Sequence, residues 1–141
     1  MYKQLPLYNR GFTASSFDLL HAGHVRMLQE CKENCKELYV GFNCNPKGKN
    51  PIQTTTERYI QLSAVKYVDH IIPYSIEEDI IKILSICDID ARFVGSDYRE
   101  KEFTGLQYCL DNNIDILYND RSHGYSSTEL KQRVYESFNN G

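Results

Sequence analysis

The chain has 141 residues, enough for one domain that buries roughly two-thirds of its unfolded surface. Its 41% hydrophobic and 25% charged residues exclude a disordered chain, and no apolar run nears the roughly 18 residues of a membrane span. A net charge of −3 argues against nucleic acid or an anionic membrane as partner; Lys47, Lys49, Arg58, Lys66 and Arg121 form local basic clusters better suited to a small anion.

The opening stretch MYKQLPLYNR lacks the apolar centre of a signal peptide, so a cytoplasmic location is expected. The five cysteines, at 31, 35, 44, 87 and 109, include no CxxC pair and read as reduced thiols rather than a disulfide frame or zinc site. Cys31 and Cys35 stand four apart on one helix face, where packing is the expected role.

In chain order, a first strand is expected over residues 7–14 and a helix over 22–35. ELYVGFN (37–43) reads as a second, buried strand. The loop CNPKGKNPIQ (44–53) leads to a helix over 54–67, opened by Thr54 and Glu57 at capping-box spacing. DHIIPY (69–74) is a short strand, IEEDIIKILSIC (76–87) a helix and ARFVG (91–95) another strand. A helix over 105–112, the strand IDILY (114–118) and a last helix over 126–138, with Ser126 and Glu129 again spaced as a cap, complete the pattern.

Residues 1–141 hold no internal repeat, low-complexity segment or linker, so they read as a single domain. Strand-length apolar runs alternating with helical periods predict an α/β, Rossmann-like, doubly wound five-stranded parallel sheet with helices on both faces. Such sheets bind ligands outside the carboxyl ends of their strands, where strand order reverses. SSFDLLHAGH (15–24) follows strand one there, the Lys47/Lys49 loop follows strand two, GSDY (95–98) strand four and NDRSHGYSST (119–128) strand five.

His21 and His24, three apart at a helix start, share one face and admit three readings. They could bind a metal, with Asp18 or a distant side chain added; they could cap and pack; or they could meet a phosphate at the helix N-terminus. Gly23 between them lets another group approach the backbone. In NDRSHGYSST, Arg121 offers a charged fork and Ser122, Ser126, Ser127 and Thr128 offer hydroxyls at a second helix start. His123 reads as a solvated loop residue. Lys47, Gly48 and Lys49, with Arg58 beyond them, are able to fold over a polyphosphate, although each piece alone equally fits a polar surface. Neither GxxxxGK[ST] nor GxGxxG is present, which excludes a P-loop enzyme and an ordinary dinucleotide binder. No nucleophile–base pairing stands out, so no covalent enzyme intermediate is expected.

FDLLHAGH (17–24), TTTERYIQLSAVKYVD (54–69), VGSDY (94–98) and RSHGYSST (121–128) together resemble the HxGH nucleotidyltransferase superfamily, specifically its cytidylyltransferase branch. The resemblance spans about residues 10–135, and RSHGYSST, similar to the arginine-led RTxGISTT signature, is its most specific part. Within that branch the chain is most similar to the small, one-domain glycerol-3-phosphate cytidylyltransferases. The resemblance implies transfer of CMP from CTP to a phosphorylated alcohol, releasing pyrophosphate and a CDP-alcohol, with Mg2+ bridging phosphate oxygens. It gives His21, His24, Lys47 and Arg121 the catalytic positions. Ser16, Phe17, Asp97, Ser126, Ser127 and Thr128 would bind the nucleotide; Lys49, Arg58 and Lys66 would receive the substrate phosphate. A homodimer is a further implication.

Several positions depart from the family pattern. Ser15 stands where glycine is usual, Tyr98 replaces a tryptophan, Ser122 and Ser127 replace threonines, and Tyr125 replaces isoleucine. REKEFTG (99–105) is a place for a different acceptor contact. The alternatives are an adenylyltransferase or a cytidylyltransferase for another sugar, polyol or amino-alcohol phosphate, and a nucleotide-binding module without turnover. A metal-dependent hydrolase lacks the carboxylate cluster it would need.

Overall fold

The computed structural model describes residues 6–119 and 125–140. Five strands, β1 (Tyr8–Ser15), β2 (Cys35–Asn43), β3 (His70–Tyr74), β4 (Ala91–Gly95) and β5 (Asp115–Asn119), form one sheet. Between and after them come α1 (Ala22–Glu33), α2 (Thr55–Ser63), α3 (Asp79–Ile86), α4 (Leu106–Asp111) and α5 (Ser127–Asn140). The spatial order is β3-β2-β1-β4-β5, and every neighbouring pair is parallel. The order reverses between β1 and β4, so the crevice expected of a doubly wound sheet lies beyond the ends of these two strands.

The period-2 pattern of the strands builds two apolar layers. Leu38, Val40 and Phe42 of β2 point to one face, where Leu28 and Cys31 of α1 and Leu62 of α2 cover them. Phe12 of β1 points to the other face, against Ile80, Ile83 and Leu84 of α3 and Cys109 of α4. Burial pushes the Cys31 thiol up and the Cys35 thiol to about 11, so neither offers a ready thiolate. Their packing role agrees with the sequence.

The element boundaries shift for local reasons. β2 starts at Cys35 rather than 37 because Tyr8 of β1 pairs with Cys35, which shortens α1 to end at Glu33. α2 stops at Ser63 rather than 67, as Ala64, Val65 and Val68 turn the chain with bonds to the carbonyls of Gln61, Leu62 and Val65. α3 starts at Asp79, three residues late, because Ile76 and Glu77 carbonyls accept from Asp79 and Ile80 in a preceding turn. Both expected caps form. Thr54 Oγ1 accepts from Glu57 N–H at 3.1 Å while Glu57 accepts from Thr54 N–H at 2.9 Å, and Ser126 Oγ accepts from Glu129 N–H at 3.1 Å.

Candidate active site at the carboxyl edge of the sheet

The loop from β1 into α1 holds an unusual backbone. Phe17 and Leu19 both lie in the left-handed region, at φ 52° and 49°. Such residues cost about 1–3 kcal/mol each and persist where surrounding contacts over-determine them. Those contacts are visible. The Phe17 ring is fully buried in the core, and its N–H donates to Ser15 Oγ at 3.5 Å, giving the unexpected serine a local role. Leu19 N–H donates to Gln53 Oε1 at 2.7 Å. Asp18 accepts from the N–H groups of Ile52 and Gln53 at 2.9 and 3.0 Å. The loops after β1 and β2 are therefore clamped to each other in both directions. Burial raises the Asp18 carboxyl, but the Gln53 and Ile52 N–H groups and the charges of Lys131 and Arg58 outweigh it and hold it below its ordinary value.

The two histidines start α1 as a reciprocal capping box. His21 is the N-cap: its Nδ1 accepts from Gly23 N–H at 2.9 Å, and its own N–H donates to His24 Nδ1 at 3.1 Å. The rings lie 4.1 Å apart, centroid to centroid, and Phe17 backs His24 at 5.7 Å. Because each Nδ1 accepts from a backbone N–H, each neutral ring carries its proton on Nε2. His21 Nε2 stands 3.0 Å from Ser127 Oγ, so it donates to the hydroxyl in the first turn of α5. Gly23 is required here, since a Cβ would fall 2.7 Å from His21 Cε1 and 3.1 Å from Tyr125 Cβ. Nδ1 thus fixes each ring on the backbone, and His21 Nε2 is turned toward the start of α5.

The starts of α1 and α5 meet through this contact, bringing the positive ends of two helices to one edge. Ser126 and Thr128 are exposed beside Ser127. Ser16 lies in the β1 loop, its carbonyl facing Arg58. Lys47 and Lys49 are exposed after β2, around Gly48 at φ 72°, where nothing lies within 4 Å of a Cβ position. Asp97 is exposed in a single 3-10 turn (Ser96–Tyr98) after β4, across the reversal from β1. The segment 99–105 is anchored from below by Arg92, which donates to Thr104 carbonyl and stacks 4.8 Å from the Phe103 ring centroid. Arg121, Ser122, His123 and Gly124 lie outside the described residues.

Two expected phosphate contacts stand elsewhere. Arg58 is 2% exposed, and its guanidinium donates to the carbonyls of Ser16, Asn43 and Cys44 at 2.9, 2.9 and 3.2 Å. It ties the ends of β1 and β2 together from inside rather than facing a substrate. Lys66 follows α2, which runs back from the carboxyl edge, and precedes β3 at His70. It therefore lies at the amino edge, its ammonium 5.2 Å from the Tyr67 ring centroid. In the sequence both are basic residues of one helical segment, and nothing there tells which face or end they occupy. Gln53 was not legible as a site residue either, because its function is set by a contact with Leu19, 34 positions away. Among the described residues no group of three or more His, Cys, Asp or Glu is gathered to hold a metal ion.

Comparisons with known proteins bear on the fold and the family. The family model described as cytidylyltransferase-like matches residues 12–133. The bifunctional protein HldE of Granulibacter bethesdensis is 36% identical over 141 aligned positions, covering 94% of this chain and 28% of that protein. HldE of Hydrogenovibrio crunogenus is 31% identical over 132 positions, 89% of this chain and 27% of that one. The chain thus spans little more than a quarter of the length of these relatives. Among solved structures, a lipopolysaccharide core biosynthesis protein from Thermoplasma volcanium superposes with a TM-score of 0.66 at 27% identity, covering 79% of this chain and 96% of that one. Pantothenate synthetase from Thermus thermophilus, at 13% identity and a TM-score of 0.53, shares the fold. With its HxGH capping box, its parallel Rossmann-like sheet and a family match over most of its length, the chain belongs to the cytidylyltransferase-like family of nucleotidyltransferases.

Proposed function

We propose that the protein transfers CMP from CTP to the phosphate of a small phosphorylated alcohol, of the glycerol 3-phosphate kind. The observation that carries the nucleotidyl transfer in this reading is the 3.0 Å contact between His21 Nε2 and Ser127 Oγ, and the choice of CTP and acceptor follows the family resemblance. It joins two helix N-termini and a pair of oriented imidazole donors into one anion-binding edge.

In this reaction an oxygen of the acceptor phosphate attacks the α-phosphorus. A new P–O bond forms, the bond to the bridging oxygen of the β-phosphate breaks, and pyrophosphate leaves with that electron pair. The attacking oxygen is already anionic, so no general base is needed. Catalysis consists of alignment and of donors aimed at the charge that spreads over the α-phosphate. His21 and His24 supply those donors, His21 Nε2 exchanging Ser127 Oγ for a phosphate oxygen when the nucleotide binds. Lys47 and Lys49 close over the triphosphate or the acceptor phosphate from the β2 loop. Arg121, with Ser126, Ser127 and Thr128, holds the β- and γ-phosphates. Ser16 and Asp97 border the nucleoside, while Phe17, expected beside it, is wholly buried and supports the loop from the core. Both Asp18 oxygens are engaged by backbone N–H groups; Mg2+ carried in with the nucleotide would add charge stabilisation at the phosphates and would need few protein ligands.

A second reading keeps the chemistry and changes the substrates, to ATP and a sugar phosphate. It is favoured by the likeness to the lipopolysaccharide core biosynthesis protein of Thermoplasma volcanium, at 27% identity. Pyrophosphate release, measured with each of four nucleoside triphosphates against glycerol 3-phosphate and a panel of sugar phosphates, separates the two. CTP with glycerol 3-phosphate is expected to be fastest; ATP with a sugar phosphate selects the second reading. A cytoplasmic location and a homodimer belong to the same proposal. No helix among the described residues is long and apolar enough to cross a membrane, and α5 exposes Val134, Tyr135 and Phe138 at 50%, 65% and 84%. Sedimentation should give twice the 16.4 kDa chain mass; a monomer at micromolar concentration contradicts the dimer.

A further inference from the structure

We infer that Gln53 is a positioning residue for the two histidines, acting through the left-handed backbone of Leu19. This inference rests on the function proposed above for the same site.

Leu19 stands two residues before His21, and its N–H donates to Gln53 Oε1 at 2.7 Å. In return, Gln53 N–H donates to Asp18 at 3.0 Å. Gln53 itself is half-buried and sits one residue before Thr54, the capping residue of α2. The start of α2 is in turn fixed by Arg58, which reaches the carbonyls of Ser16 and Asn43. The acceptor that holds Leu19 is thus mounted on a helix whose position is set by a buried guanidinium. A bulky residue at positive φ relaxes when its partners are removed. Relaxation at Leu19 would turn the chain entering His21, and with it the His21 N–H that donates to His24 Nδ1 at 3.1 Å. The His24 ring depends on that bond for its orientation, and the His21 ring on the Gly23 N–H two residues along the same turn. The same clamp connects the loop carrying Lys47 and Lys49 to the loop carrying the histidines, so that phosphate contacts from the two loops keep a common frame.

The property that matters is an acceptor at the position of Oε1. Gln53→Met keeps length and removes the acceptor, whereas Gln53→Glu keeps the acceptor. In the full chain, Gln53→Met should lower kcat about 10²-fold, the cost of a small misplacement of reacting groups, with the nucleotide KM nearly unchanged. Gln53→Glu should keep most of the wild-type kcat. Equal losses in both variants, or a rise in KM at constant kcat, overturn the inference. Backbone amide exchange measured by NMR tests the positioning without turnover. Gln53→Met should speed exchange at Leu19 and His21, and Gln53→Glu should leave His21 slow. Unchanged exchange at His21 in Gln53→Met overturns the inference whatever the activity. If wild-type protein shows this protection yet releases no pyrophosphate from any triphosphate, the proposed function fails and the positioning of His21 stands.

Discussion

The two edges of the sheet use polar side chains in opposite ways. At the amino edge, charges join neighbouring elements directly. Asp69 accepts from Leu38 N–H and from Lys32, each at 2.7 Å; Asp90 accepts from the N–H groups of Asn9 and Arg10; and Glu37 lies 3.9 Å from Arg10 and 3.5 Å from His70. At the carboxyl edge, Asp18, Gln53, His21 and His24 hold loop backbone, two of whose residues are left-handed. The first arrangement closes an edge with its own counter-charges. The second keeps a strained loop in place and leaves Lys47 and Lys49 exposed to meet an anion brought from solution.

Substitutions can break this contrast, and the largest effect is expected at His24. His24→Ala removes one oriented donor and should cost on the order of 10²–10³ in kcat, while loss of its half of the capping box lowers the melting temperature by only about a few degrees and leaves the protein folded. Turnover near that of the wild type would remove the histidines from the chemistry.

Arg58 sharpens the comparison because it lies among the site loops yet behaves like an amino-edge residue. Arg58→Met should destabilise by about 3 kcal/mol, since it leaves three carbonyls without their charged donor. Urea unfolding checks the value. A fully stable variant whose acceptor KM rises would instead make Arg58 a substrate contact.

A milder effect concerns pH. At Asp69, burial raises the carboxyl, but the Lys32 contact and the Leu38 N–H outweigh it, so it lies below its ordinary 3.8, as Asp18 does. The folded chain therefore binds fewer protons than the unfolded one in this range. The stabilisation from both groups is complete above about pH 3.8 and is lost as pH falls through their lower folded values. Urea midpoints followed downward from neutral pH should drop in this acid range, and Asp69→Asn should flatten the drop. Parallel curves would contradict the assignment.

The smallest effect is expected at Lys66, at the far edge from the histidines. Lys66→Ala should leave kcat and both KM values unchanged, and a clear rise in the acceptor KM would place a second copy or a moved loop at that edge.

These contrasts also explain what could be read from the chain. The alternation of strands and helices, the Thr54–Glu57 cap and the placement of FDLLHAGH after β1 follow from local periodicity and spacing, which sequence displays directly. The roles of Arg58 and Lys66 did not follow, because eight positions along one helical segment and turn carry the chain from one sheet edge to the other. Gln53 and the His21–His24 bond were hidden for another reason. Both depend on side chains accepting from backbone whose conformation, left-handed at Leu19, no propensity announces. Ser127 was legible as a hydroxyl at a helix start, and the fold added its partner, His21, 106 residues away.

The central claim is that the carboxyl edge transfers a nucleotidyl group. The most direct measurement is pyrophosphate release by the full chain with CTP, Mg2+ and glycerol 3-phosphate, run beside His24→Ala. Steady release that requires both substrates and falls by about 10²–10³ in the variant is predicted. No release from any nucleoside triphosphate with any phosphorylated alcohol or sugar, despite a folded protein, would contradict it.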